Sequence, residues 1–189
     1  MYEGLDTVVL YDELAYEDVL PVAWKRIAEP FDPALIGSFA DRNLRVLQAL
    51  SALEEHGQIE KPDESSPHAA DILRLDLKVN LLLDMVGALL VASHPRPRAT
   101  SVRFNVLGGV WQATPPFPEL GQQGVLEIYL RDCIAEPLRL FGRIGSVGPD
   151  GRVKVRFIAP GEHIADLMEK LAFRKHRRQI AGQRHPKRL

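Results

Sequence analysis

The residues best equipped for chemistry in this chain are six histidines, one cysteine and a few acidic pairs, and their spacing decides what they could do. His56, His68, His94, His163, His176 and His185 include no pair in the HExxH arrangement that puts two imidazoles on one helix face for a zinc ion. No metal site is expected. Cys133 stands alone, so no disulfide and no cysteine-built zinc site can form within one chain. It follows Arg131-Asp132 with no histidine in a recognisable arrangement beside it, and reads as a structural thiol. Glu54-Glu55 and Asp63-Glu64 fall at a helix end and in a loop, where solvated carboxylates lack the burial that acid–base work requires. There is no GxSxG elbow, no GxxxxGK followed by Ser or Thr, and no GxGxxG; Gly142-Arg143-Ile144-Gly145 is a strand fragment. No catalytic residue is assigned, and the chain is expected not to be an enzyme.

At 189 residues, with 46% apolar and 26% charged side chains, the chain can build a real core and an appended module, and is neither disordered nor fibrous. Its N-terminus has no basic stretch followed by an apolar run, and its lone cysteine suits a reducing, cytoplasmic setting. The most apolar stretch, Ile72 to Ala92, carries Arg74, Asp76, Lys78 and Asp84, each costly at membrane depth, so no membrane span is expected. Charge is lopsided: residues 1–33 hold eight acids and two bases, while residues 174–189 hold seven bases and no acid. The two ends should attract. The basic run Arg174-Lys175-His176-Arg177-Arg178 reads as a solvated helix end rather than a nucleic-acid grip.

Four stretches follow from the patterning: an N-terminal segment (1–31), a helical hairpin (32–93), a β-rich module with a terminal helix (94–180) and a basic tail (181–189). Thr7 to Tyr11 is a plausible strand and Asp12 to Asp18 an acidic connector. From Asp32-Pro33 to His56-Gly57 the spacing predicts a helix, with Ile36, Phe39, Asn43, Val46, Leu50 and Leu53 on one seam and Asn43 as its polar member. After a proline-punctuated loop, Ile72, Leu75, Val79, Leu82, Val86 and Leu89 step by three and four along a second helix, Asp71 to Ser93. Leu73, Leu77, Leu81, Leu83, Met85 and Leu90 lie off that seam, so the helix is apolar nearly all round and must be surrounded. The first helix can cover one side only. Copies from other subunits are expected to cover the rest, with Asn43 setting register; burial of the second helix inside its own domain is the alternative.

His94-Pro95-Arg96-Pro97-Arg98 is a stiff, basic connector. Beyond it Thr100–Leu107, Val110–Ala113, Val125–Leu130, Leu138–Val147 and Arg152–Ile158 are short strand-like runs separated by glycine and proline turns, which favours an antiparallel meander closing into a small barrel. A last helix after Pro160-Gly161 puts Ile164, Leu167, Met168, Leu171 and Ala172 on one face, suited to covering one opening of that barrel. The fold class expected is α+β.

The connector, the strand ending in Gly108-Gly109, the run Pro137-Leu138-Arg139-Leu140-Phe141-Gly142-Arg143-Ile144 and the strand Arg152 to Phe157 together resemble a PilZ domain over about residues 94–180. With the heptad helices inserted ahead of them they resemble the atypical, tetrameric branch of that family. The resemblance implies a bacterial signalling protein, a tetramer of identical chains, an unidentified protein partner, and an N-terminal strand belonging to the same barrel. Family members that sense cyclic di-GMP use RxxxR in the connector and D/NxSxxG on the following strand, since guanidinium forks hold phosphates and stack on guanine. Here both motifs are damaged: Arg96 and Arg98 are followed four positions on by Thr100 and Val102, Arg103 lies one position too far, and Phe104-Asn105-Val106-Leu107-Gly108-Gly109 keeps only Gly109 or Asn105 in place. The expectation is a scaffold that acts through protein contacts without tight cyclic di-GMP binding, with no cofactor. A receptor using Arg96, Arg98 and Arg103 in altered register is the alternative.

Overall fold

The computed structural model describes residues 14–27, 33–56, 68–158 and 160–184. Strand β1 (Tyr16–Arg26) is followed by helices α1 (Pro33–His56) and α2 (Ala69–Ser93), then by β2 (Ala99–Phe104), β3 (Gly108–Gln112), β4 (Gln123–Ile128), β5 (Leu138–Val147) and β6 (Arg152–Phe157), and by helix α3 (Glu162–Arg184). The strands form one antiparallel barrel in the order β1-β2-β3-β6-β5-β4. Its interior is filled by Val102, Phe104, Leu126, Ile128, Leu138, Leu140, Ile144, Val153 and Val155, alternating with outward residues as a pleated strand requires. The α+β class and the barrel with its terminal helix agree with the patterning.

The strand that closes the barrel differs from the one expected. Thr7 to Tyr11 lies outside the described residues, and the acidic connector Asp12 to Asp18 runs into β1. β1 pairs with β2 from Tyr16 to Pro21 and with β4 from Val22 to Arg26. Pro21, which cannot donate to a ladder, sits at that changeover: its carbonyl accepts from Tyr129 N–H just beyond β4, so its missing N–H interrupts neither ladder. At the other end α3 runs to Arg184, four residues into the expected basic tail.

Among the described residues α1 and α2 do not pack along one another as the expected hairpin would. α1 packs on β5 and α3 instead, burying Val46, Leu47 and Leu50 in the barrel core, with Phe39 stacked on Phe141 at 5.0 Å. Asn43, expected to set register between subunits, makes its contacts within its own chain. It is 4% exposed, donates through Nδ2 to Arg139 O at 2.7 Å and accepts through Oδ1 from Arg139 N at 2.8 Å. β6 pairs with β5 only as far as Gly142, with Ile158 N–H closing on Phe141 O, so among the described residues no strand lies beside β5 at Arg139 on the side away from β4. One side-chain amide supplies both missing bonds.

Among the described residues an ion pair joins the acidic N-terminal stretch to the basic C-terminal one. Lys175 on α3 donates to Asp18 on β1, and lies 5.3 Å from the centre of the Tyr16 ring. Burial would raise the Asp18 carboxyl, but the hydrogen bonds from Lys175 and Val19 N–H outweigh it and hold the carboxyl below its usual range. Burial, then the Asp18 carboxylate, pushes the neighbouring Tyr16 phenol well above its own range. Glu54, expected to be solvated, is buried between Arg178 (3.0 Å) and Arg174 (3.7 Å), and Arg174 also donates to Ser51. The basic run is thus partly spent on locking α3 to α1 and β1.

Candidate functional site

Three regions carry the residues singled out in the sequence: the free face of α2, the connector behind it, and the turn between β2 and β3. On α2, Ile72, Leu75, Val79, Leu82, Val86 and Leu89 are all exposed, from 43% for Val79 to 66% for Leu89. Leu73, Leu77, Leu81 and Met85 are exposed beside them. The one buried α2 residue is Gly87, and with the half-buried Leu83 and Leu90 it marks the face nearest the barrel. A Cβ at Gly87 would stand 3.1 Å from Asp132 Cβ and 3.2 Å from Cys133 N, so glycine is what lets the helix approach the β4–β5 loop. Among the described residues nothing covers the seam.

The connector holds α2 to that same loop. Arg96 Nη1 donates to Arg131 O at 3.1 Å and to Asp132 Oδ1 at 2.9 Å, and Nη2 donates to Asp132 O at 2.9 Å and to Ile134 O at 3.0 Å. Its side chain is 7% exposed and its guanidinium sits 5.0 Å from the centre of the Tyr129 ring. Four acceptors and an aromatic face leave this fork little capacity for a phosphate. Cys133 is partly buried in this loop, and among the described residues no group of three or more His, Cys, Asp or Glu gathers in a metal-binding arrangement.

The remaining motif residues are dispersed. Arg98 is exposed at the start of β2, while Asn105 lies past its other end, roughly 20 Å away along an extended strand. Arg103 stands in register opposite Glu17 and pairs with it at 3.8 Å. Asn105 is buried and accepts from Leu107 N and Gly108 N at 2.9 and 3.1 Å, shaping the β2–β3 turn. Gly109 is packed so closely that a Cβ would meet Phe157 Cζ at 3.2 Å. Arg96, Arg98, Arg103, Asn105 and Gly109 therefore do not converge on one site.

A groove of about 650 Å³ was not anticipated. It is lined by Val22, Trp24 and Arg26 of β1, by Pro97 to Thr100, by Trp111 and Gln112, and by the β3–β4 loop around Phe117. Trp24 stacks on Trp111 at 6.0 Å and donates from Nε1 to Gln122 Oε1 at 2.7 Å. Its ring covers Gly124, where any Cβ would lie 2.6 Å from Trp24 Cζ2. The glycine and two tryptophans, far apart in sequence, gave no spacing signal to follow.

A family model described as "Atypical PilZ domain, cyclic di-GMP receptor" matches residues 47–185. Among solved structures, a tetrameric PilZ domain of a pathogenic protein from Xanthomonas campestris, described as self-assembled via an unusual helical bundle, is similar at 24% identity with a TM-score of 0.67. That match covers 96% of this chain and 99% of the other, and it shows the fold. No curated protein matches. Among the described residues no helix is long and apolar enough to cross a membrane.

Proposed function

Because the chain belongs to the atypical PilZ domain family, whose members are receptors and regulators, we propose that it is a non-catalytic signalling protein of the cytoplasm. It assembles with copies of itself through α2 and acts by protein contacts without binding cyclic di-GMP tightly. The observation that carries this is the uncovered seam from Ile72 to Leu89. Each of these six side chains would gain about 1–2 kcal/mol on burial, part of the roughly 1.5–3 kcal/mol for complete burial. That sum is of the same order as the estimated 4–15 kcal/mol cost of association. One helical partner would still leave Leu73, Leu77, Leu81 and Met85 in water. Apolar residues on so much of the helix surface favour a bundle of more than two, and four is the number the neighbouring fold uses.

Two facts support weak dinucleotide binding. Arg96 is saturated by its own chain, and Asn105 and Gly109 serve the β2–β3 turn, so the residues present do not fit a ligand held between two free guanidiniums and a polar strand. Isothermal titration of the full chain with cyclic di-GMP is expected to give no tight binding; a dissociation constant of about one micromolar or below overturns that half of the proposal. A monomer by light scattering at high concentration overturns the other half.

A further inference from the structure

The barrel is closed around its circumference, yet one stretch of β1 has a free edge. Residues 21 and 27 turn their backbone groups toward β4, as the bonds from Tyr129 N to Pro21 O and from Ile27 N to Gln123 O show. Alternation along a strand then directs the N–H and C=O of Val22, Trp24 and Arg26 to the opposite side. β2 has already ended there: its pairing with β1 stops at Pro21 and Ala99, and the chain departs into the proline connector. Val22 still stands opposite Arg98 at the end of the β1–β2 ladder, but beyond it, among the described residues, the backbones of Trp24 and Arg26 have no hydrogen-bond partner on that side. Both residues line the groove.

The groove's chemistry selects what could fill that edge. Trp24, Trp111, Phe117 and three prolines give it apolar walls, and no carboxylate lines it. Its charged members are Arg26 and Arg98, both exposed and without an ion pair among the described residues. The guanidiniums repel a cationic ligand that the aromatic rings would otherwise attract. A nucleotide's phosphates call for several converging donors, and two arginines on separate elements do not supply them. An extended peptide uses everything present: its backbone completes the strand edge, its apolar side chains meet the aromatic wall, and its acids meet the arginines.

We propose that this groove binds an extended acidic segment of a partner protein as an added strand alongside Trp24 to Arg26. The inference rests on the reading that the protein acts through protein contacts, and names the class of partner. The test titrates the full chain with a synthetic peptide alternating valine and glutamate, beside its valine–lysine counterpart and a copy of the acidic peptide N-methylated at alternate residues. The acidic peptide should bind and slow hydrogen exchange at the amides of Trp24 and Arg26 at least tenfold, while the lysine and N-methylated peptides should not. Arg98→Glu, a change at an exposed position, should weaken binding about tenfold or more at low salt. No protection of those two amides, or equal binding of the lysine peptide, overturns the proposal. Light scattering on the same samples keeps the outcomes apart: an oligomer that ignores the peptide defeats the groove and leaves assembly standing, whereas a monomer defeats assembly.

Discussion

α1 and α2 are neighbours in sequence, similar in length and alike in carrying apolar residues at alternating three- and four-residue steps, yet they meet opposite fates. α1 turns Val46, Leu47 and Leu50 into the core of its own chain, whereas α2 touches that chain mainly through Gly87 and leaves its seam in water. What separates them is how much of each surface is apolar. α1 presents one stripe, with Asp41, Arg42, Arg45 and Gln48 exposed on its other sides, and one barrel face is enough to bury it. α2 carries leucines on nearly every side, more than one flank of a barrel could cover. Heptad spacing tells that a helix is to be packed; the width of the apolar surface tells whether its own chain can do the packing.

The largest effect should come from breaking that asymmetry on α2. Changing Leu75, Val79 and Leu82 together to serine should reduce the particle seen by light scattering to the single chain of 21.2 kDa, while the barrel's thermal unfolding persists. Loss of the folded barrel as well would mean that α2 stabilises its own chain after all. Next in size is Asn43→Leu on α1. It strips two buried backbone groups of Arg139 of their partners, which should cost about 2–4 kcal/mol in denaturant unfolding. The particle mass should stay unchanged, because the amide serves its own barrel; a changed mass would return Asn43 to the subunit interface.

How much of this was legible in the sequence depends on whether a residue's partner lies nearby in the chain. The strands β2 to β6 are local patterns bounded by glycine and proline turns, and they stand close to where alternation put them. β1 was hidden because Glu17 and Asp18 belong to an acidic run that looks like a connector, and only the exchange of β2 for β4 as neighbour shows why Pro21 is tolerated. The polar seam position Asn43 was recognised as special, but its partner Arg139 is 96 residues away and no local pattern points to it. For the same reason the damaged arginine motif could be read off the connector, while the use of Arg96 as a clamp on residues 131–134 could not. The groove joins β1 to residues about 90 positions later.

A smaller change should sharpen the comparison at the joint between the two regions. Arg96→Met keeps an apolar stem over Tyr129 but removes donors from three backbone carbonyls, and should cost about 1–3 kcal/mol. The more telling readout is shape. If Arg96 and Gly87 fix the angle between α2 and the barrel, small-angle scattering should show the particle's maximum dimension broaden at unchanged mass. A particle of unaltered dimensions would mean that the bundle alone sets the arrangement.

The smallest expected effect concerns pH, and it distinguishes the region closed by charge from the region that is purely apolar. Asp18 is held below its usual range, mainly by the hydrogen bond from Lys175 working against burial. A carboxyl depressed in the folded state contributes stability above its unfolded pKa, near 4 for an ordinary aspartate, and loses it as pH falls through the lower folded value. Acidification from neutral should therefore lower the melting temperature only once the pH drops below that ordinary range, and Asp18→Asn should flatten the acid limb. The serine-substituted α2 chain should show the same limb as the parent, because Asp18 and Lys175 tie α3 to β1 and do not touch α2. An acid limb that vanished with the α2 seam would place the titrating group in the assembly rather than in the barrel, and the division between the two regions would fail.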